Sequence, residues 1–405
     1  MAHSASATLQ DIRGQIVGLD VRVPLLDGSV VQAINLDNAA STPALRPILD
    51  TVNSFMSWYS SVHRGTGFKS RVATRAYEDA REVIGRFLGA RTDEHVVILG
   101  KNSTEAINKL ARRIPFRPGD VVLCSLMEHH SNDLPWRSAA GVAHVQTDAL
   151  GRLDEDHFAA LLRRYAGRVR LVAISGGSNV TGAIAPIHQL AEQAHAAGAE
   201  IFVDCAQLAP HRAVDIGALD DPAHLDYVAI SAHKMYAPFG SGALVGRRDT
   251  FAQGVPDYVG GGTVETVTAT GMTWAEPPDR DEAGSPNVVG AVAMAAALEA
   301  LDAIGMEAIA AHEAELTAHA LRRLADVPGL RLYGDADPDR AAGRLGVIPF
   351  ALAGRSHVLV QQRPSRNRLQ VAGGDACLRG RPRGDRALSR RADRPARRDP
   401  GQKLD

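Results

Sequence analysis

Leu225-Asp226-Tyr227-Val228-Ala229-Ile230-Ser231-Ala232-His233-Lys234 is an apolar run that stops abruptly on Ser-x-His-Lys. It is one of several such runs, alongside His95–Leu99, Val121–Ser125, Val169–Ser175, Glu200–Asp204 and Gly242–Gly246. Continuous β-branched runs, rather than apolar–polar alternation, predict strands buried on both faces. Helix-compatible stretches lie between them: Thr104–Arg113, His157–Tyr165 and Pro186–Ala197, the last opening on a proline and stopping before Gly198. Strands alternating with helices predict an α/β fold with a large, mostly parallel sheet.

Around that centre, Tyr77–Leu88, Asn287–Leu301 and Met306–Val327 read as helices, the last with apolar Ile309, Leu316, Leu321 and Leu324. Strand-like Leu330–Tyr333 and Gly346–Leu352 suggest a smaller α+β domain. The expected division is an N-terminal arm at 1–35, a large domain at 36–304, a small and incomplete C-terminal domain at 305–360, and an atypical tail at 361–405.

The chain has 405 residues and a formal net charge of −1, which argues against a whole-protein nucleic-acid or membrane-surface binder. The balance is uneven. Residues 361–405 carry 12 Arg and 1 Lys against 5 Asp, so residues 1–360 account for −9. The tail has four prolines, no aromatic residue and no periodicity, a composition that does not fold alone. It leaves open a basic segment that binds acidic partners. Out-of-frame translation of a GC-rich gene from about residue 360 would also give this composition.

Three cysteines (Cys124, Cys205, Cys377) without a CxxC pair support neither a disulfide framework nor a zinc ribbon. No secretory signal is visible, and the longest apolar run, Val288 to Leu298, falls short of the roughly 20 residues a membrane span needs. A cytoplasmic protein with no membrane association is expected. Lysine is scarce: Lys69, Lys101, Lys109, Lys234 and Lys403 stand against 40 arginines, so each lysine invites the question of why arginine would not serve.

In parallel sheets ligands sit beyond the carboxyl ends of the strands. After the first run come Gly100-Lys101-Asn102-Ser103-Thr104-Glu105 and a helix, which suits an anion or ordinary capping by Asn102 or Ser103. Glu128-His129-His130-Ser131-Asn132 follows the second; without HExxH or paired Cys/His spacing, an imidazole stacked on a flat ligand or acting as acid/base is favoured over metal, beside a plain loop histidine. Ser178-Asn179-Val180-Thr181-Gly182 is a polar turn that can hold a ring substituent or merely turn the chain. Asp204, with Cys205-Ala206-Gln207 after it, ends an apolar strand on a carboxylate, which needs a positive partner: a protonated ring nitrogen or an arginine. Lys234 can form a Schiff base where arginine cannot, or it can bind phosphate. Gly240-Ser241-Gly242 precedes a strand, so it is no dinucleotide fingerprint. Together, an anion site at a helix start, a histidine, an asparagine, a strand-end aspartate and Ser-x-His-Lys describe a pyridoxal-phosphate site.

In these motifs the chain resembles the class V aminotransferase family of fold-type I pyridoxal-phosphate enzymes, on its cysteine desulfurase/selenocysteine lyase branch. The likeness runs from Leu36-Asp37-Asn38-Ala39-Ala40-Ser41 through Val62-His63-Arg64-Gly65, Ser103–Asn108, Met127–Asn132, Ser178–Gly182, Val203–Gln207 and Ser231–Lys234 to Glu282–Asn287, ending near Phe350. The resemblance implies pyridoxal 5'-phosphate, an amino-acid substrate, a homodimer and a sulfur-acceptor protein. It implies that Lys234 bonds the cofactor aldehyde and shuttles the substrate Cα proton, Asp204 pairs with the pyridine nitrogen, and Gln207 meets the ring hydroxyl. His129 would stack on the ring and Asn179 would lie near the substrate carboxylate. Ser103, Thr104, Ser231 and His233 would bind phosphate, joined by Ser285 from the partner subunit.

Desulfurases of this branch also carry a nucleophilic cysteine in a motif like Val-Arg-x-Gly-x-x-Cys. Val371-Ala372-Gly373-Gly374-Asp375-Ala376-Cys377 has the spacing, but Ala372 stands where an arginine would clamp the substrate carboxylate. Cys377 is the candidate nucleophile, and Cys124 and Cys205 are expected to be inert core residues. Rival readings are another class V reaction (aminotransfer, C–S lysis or epimerisation) or a catalytically impaired scaffold with a basic binding tail.

Overall fold

The computed structural model describes residues 12–25, 27–63, 65–355 and the backbone of 369–370. Its centre is a seven-stranded sheet of β1 (His95–Gly100), β2 (Val121–Ser125), β3 (Gly141–Val145), β4 (Val169–Ser175), β5 (Glu200–Asp204), β6 (Tyr227–Ser231) and β7 (Gly242–Arg247). The spatial order is β1-β7-β6-β5-β4-β2-β3. Neighbours from β3 to β6 pair in parallel. β7 runs antiparallel to both β6 and β1, so the sheet is mixed at that side. The reason is chain length: only residues 232–241 join β6 to β7, and a parallel return needs a crossover of about a dozen residues or more.

Alternate residues of each strand enter different cores. Leu123, Val172, Val203, Val228 and Val245 join one apolar cluster, while Val122, Leu171, Phe202, Tyr227 and Leu244 join the other. Both faces are therefore apolar, which is why the runs read as continuous. β3, absent from the sequence reading, is an edge strand whose residues are mostly part-exposed, so its apolar signal is diluted by Gly141 and His144.

The helices cover both faces. α1 (Ser103–Arg113) lies on the second cluster through Ala106, Ile107 and Leu110. α2 (Glu155–Arg164), capped by Asp154 accepting from His157 N–H at 2.9 Å, and α3 (Ile187–Ala196) lie on the first. α4 (Val288–Ile304) is apolar on most of its circumference and largely buried, and its cap Asn287 accepts from Gly290 N–H at 2.9 Å. Among the described residues no single helix is long and apolar enough to cross a membrane.

Beyond α4, helix α5 (Met306–Ala325) packs with an antiparallel pair, Leu330–Leu332 and Phe350–Leu352. Its buried face runs through Met306, Thr317 and Leu321, whereas Leu316, expected on that face, is 56% exposed. Leu369–Gln370 pairs in parallel with Ile34–Asn35, a short strand in a stretch whose composition shows no periodicity. The rest of the tail, with Ala372 and Cys377, lies outside the described residues, as does Arg64.

Candidate active site

The strand register brings the separate motifs to one edge. Gly100 at the end of β1 pairs with Gly242, and Gly242 pairs with Ser231 at the end of β6. Across the sheet, Asp204 pairs with Ser175 on one side and Ala229 on the other. α1 thus starts beside Ser231: Ser103 N–H donates to Ser231 Oγ at 2.9 Å, and the two hydroxyl oxygens are 3.0 Å apart. A side chain at Gly242 would put its Cβ 2.6 Å from Asn102 Cα and 2.7 Å from the Ile230 carbonyl, so glycine lets the helix start come this close.

Asn102 does cap α1, accepting from Glu105 N–H at 3.0 Å. Capping and anion binding do not compete here, because Asn102 takes one N–H while Ser103 and Thr104 stand at the positive end of the helix dipole. Exposed Thr104 shares a 2.7 Å hydrogen bond with Ser131 Oγ, which lies 2.9 Å from His129 Nδ1. Ser131, not singled out from sequence, therefore ties the helix start to the imidazole.

Lys234 follows β6 on a single turn of 3-10 helix. Its ammonium makes no hydrogen bond or ion pair among the described residues. Burial pulls its pKa down, opposed by the charge of Asp204. Asp204 is 4% exposed; burial pushes its carboxyl up, opposed by Ala206 N–H, 3.0 Å from Oδ1, and by Lys234. Among the described residues its Oδ2 accepts no hydrogen bond. His129 is pulled down by burial, then by Lys234 and His130, so its ring is neutral at neutral pH. The described edge thus holds an unpaired amine, a carboxylate with one free oxygen, a neutral imidazole and a helix start, the donor set that a pyridinium ring bearing an aldehyde and a phosphate needs.

An N-terminal segment, whose residues entered the sequence reading only as a motif, locks the lysine turn. His233 carbonyl accepts from Thr42 N–H at 2.9 Å and from the Ser41 and Thr42 hydroxyls at 3.1 Å. Thr42 Oγ1 also takes Tyr236 N–H at 2.7 Å, holding Tyr236 at a φ of 64°. That left-handed conformation is unfavourable for a non-glycine residue and persists because its surroundings fix it. Gln207 donates from Nε2 to Ala39 carbonyl at 2.8 Å, leaving Oε1 available. Half-buried Asn179 sits in a turn whose Ser178 Oγ accepts from Val180 and Thr181 N–H. Buried Arg344 donates to Thr181 carbonyl at 3.0 Å, fastening the C-terminal segment onto that turn.

Glu128 was also missed as an individual. Its carboxylate takes Ser125 Oγ at 2.5 Å, Ser175 N–H at 2.9 Å and Asn132 Nδ2 at 2.6 Å, joining the ends of β2 and β4 directly before His129. Burial pushes its pKa up to about 8, with those donors opposing and Asp204 adding. The folded protein holds this proton where the unfolded chain releases it above the ordinary glutamate value of 4.5. Stability from this group is therefore full below that value and is lost as pH rises toward about 8. Glu128→Gln should flatten that decline; denaturant midpoints between pH 5 and pH 9 would show it as a gain of stability at the alkaline end.

Ser285 is exposed, in a segment pinned by Glu282 to Tyr77 Oη (2.6 Å), Arg81 (2.7 Å) and Leu99 N–H (2.6 Å). A cleft of about 500 Å³ beside that segment is lined by His63, Glu265, Glu282, Gly284 and Pro286 among others, and by none of the Asp204–Lys234 group. Cys124 and Cys205 are fully buried and burial pushes both thiols up, so neither is an accessible thiolate.

Comparison with known proteins matches residues 34–387 to the Aminotransferase class-V family. The chain is 41% identical over 333 residues to the cysteine desulfurase of Dickeya dadantii (strain 3937), covering 80% of this chain and 77% of that protein. Against the cysteine desulfurase of Haloferax volcanii it is 36% identical over 346 residues, covering 83% and 79%. Among solved structures, the apo cysteine desulfurase from Thermococcus onnurineus NA1 superposes with a TM-score of 0.77 at 28% identity, over 89% of this chain and 86% of that one.

Proposed function

The chain belongs to the class V aminotransferase family, and on that footing we propose that it is a pyridoxal-phosphate-dependent cysteine desulfurase. It takes sulfur from L-cysteine onto an enzyme cysteine and releases alanine. The observation that carries this is the unpaired Lys234 amine facing the half-satisfied Asp204 carboxylate beside the start of α1.

When bound, pyridoxal phosphate supplies an electron-withdrawing ring that acidifies the substrate Cα–H. Lys234 would bond its aldehyde and move the proton at Cα, a task for which a depressed pKa suits an amine. Asp204 would hold the ring N–H, His129 would cover the ring face, and Gln207 and Asn179 would orient its hydroxyl and the substrate. Ser103, Thr104, Ser231 and His233 would hold the phosphate. Sulfur transfer needs a thiolate. With Cys124 and Cys205 buried, Cys377 is the remaining cysteine of the three. Its thiolate would attack the substrate sulfur; the S–S bond forms as the C–S bond breaks, the bonding pair goes to the substrate Cβ, which takes up a proton, and Cα regains the proton held at Lys234, so the carbon skeleton leaves as alanine.

We assign the active form as a homodimer in which Ser285 reaches the partner's phosphate site. Its exposure in this chain supports this, as do exposed Trp58, Phe68, Tyr258, Val267 and Met272. A sulfur-acceptor protein would take the persulfide. Two buried free thiols favour a reducing cytoplasm.

The test is product analysis of cofactor-loaded protein with L-cysteine and a thiol reductant. Equimolar alanine and sulfide, lost in Cys377→Ala, is expected. Keto acid in place of alanine would assign aminotransfer or β-elimination instead, and cofactor binding without turnover would leave a scaffold.

A further inference from the structure

At the end of the sheet opposite Lys234, three side chains converge. Asp226 immediately precedes β6, so the length of that strand separates it from Ser231, about 17 Å at ~3.3 Å per residue. His195 lies in the last turn of α3 and His224 in the loop before Asp226. His195 Nε2 is 2.9 Å from Asp226 Oδ2, and His224 Nε2 is 3.3 Å from Asp226 Oδ1. The two imidazoles stack at 4.2 Å with their planes 18° apart, and the Asp226 side chain is 1% exposed. One donor atom from each of the three residues lies within 4.8 Å of the others.

With both rings neutral, the hydrogen accounting of this cluster does not close. His195 Nδ1 is 2.7 Å from Pro222 carbonyl, and His224 Nδ1 is 2.6 Å from Asp221 carbonyl. A carbonyl only accepts, so each Nδ1 carries the hydrogen. A neutral ring then presents a lone pair at Nε2, and both lone pairs face carboxylate oxygens, which also only accept. Adding a second hydrogen to each ring would stack two cations beside the Arg247 guanidinium, whose NH1 is 3.1 Å from Asp226 Oδ1. That places three positive charges around two carboxylates, Asp226 and Asp249, the second held by Arg247 at 2.7 Å.

A divalent cation between the acceptors removes the conflict. We propose that His195 Nε2, His224 Nε2 and a carboxylate oxygen of Asp226 bind one transition-metal ion of the zinc class, with water as the fourth ligand. Two imidazoles and one carboxylate are a ligand set that zinc takes, at ~2.0–2.2 Å from the metal. Tetrahedral ligands at that range stand about 3.3–3.6 Å apart; His224 Nε2 is 3.3 Å from Oδ1 and His195 Nε2 is 2.9 Å from Oδ2, so a small opening of the cluster admits the ion. The Nδ1–H to carbonyl bonds are the outer contacts that fix the tautomer of metal-binding histidines. Ile201 N–H, 2.8 Å from Oδ2, and Arg247 orient the carboxylate in the same way. The ion would staple the end of α3, the 221–224 loop and the start of β6, far from the Lys234 chemistry.

The test is Co²⁺ and Zn²⁺ titration of the chelator-treated, full-length protein. One equivalent of Co²⁺ giving visible ligand-field bands that Zn²⁺ displaces is expected, with at least ~10-fold weaker binding in the double variant His195→Gln/His224→Gln. Should that variant fail to fold, X-ray absorption of the Zn²⁺-loaded wild type still decides, since two imidazole nitrogens and no sulfur are expected. Absence of metal uptake, undiminished binding in the folded double variant, or sulfur in the coordination shell would each overturn the proposal.

Discussion

Lys234→Ala is expected to lower kcat for sulfide release by at least ~10²–10⁴-fold, the range associated with losing a positioned acid–base group. Loss of the proposed covalent bond to the cofactor adds to that. Stability should not fall with it. Among the described residues the ammonium makes no hydrogen bond, and burial works against its charge, so the described group that loses its charge partner is Asp204. Lys234→Arg should be as inactive as the alanine variant, because a guanidinium neither condenses with an aldehyde nor gives up its proton. Steady-state assays with L-cysteine, run beside urea unfolding, separate the two effects. A Lys234→Ala protein that keeps more than about a tenth of wild-type kcat would refute the assignment of this residue, against the ~10²-fold floor above.

The second large effect is structural. Glu282→Ala should destabilise the fold by about 3–5 kcal/mol, the usual cost of breaking a buried ion pair by removing one partner. Arg81 and Glu282 side chains are each 7% exposed and meet at 2.7 Å. Without the carboxylate, the anionic partners Arg81 keeps among the described residues are Glu78 and Asp279, at 3.8 and 3.7 Å and outside hydrogen-bond distance. Tyr77 Oη and Leu99 N–H lose their acceptor as well. Glu282→Gln keeps the shape and an acceptor oxygen, so a smaller loss of ~1.5–3 kcal/mol is expected. Urea denaturation midpoints of both variants give the comparison, and equal losses would show that charge is not what matters. The same segment carries Ser285, so the milder variant should also weaken cofactor retention if Ser285 serves a partner's site.

The scarcity of lysine shows how sequence and structure divide the work. Composition made every lysine worth asking about, yet Lys109 and Lys234 look alike at that level. In the fold Lys109 is a buried structural cation, bonded to Asp257 at 2.5 Å and to Asp281 carbonyl at 2.7 Å. Lys234 is unpaired beside Asp204. Pairing depends on what the loops after β7 bring back to α1, and no local pattern encodes that.

Much was nonetheless legible in the chain alone. The runs that end in Ser125, Ser175, Asp204 and Ser231 are strands with those termini, because strands buried on both faces must be apolar throughout and can turn polar only where they leave the sheet. The motif order also carries the likeness to the family the chain belongs to, since those residue types stand at strand ends whatever the tertiary detail. Tertiary structure alone decided the rest. The reversal of β7 and the edge strand β3 follow from connection length and exposure. The support from Thr42, Glu128, Ser131 and Arg344 joins residues up to 194 positions apart at hydrogen-bond distance. The charge state of each site group is set by burial and by neighbours distant in sequence. A sequence carries periodicity and residue chemistry directly, but proximity between remote segments exists only once the core has closed.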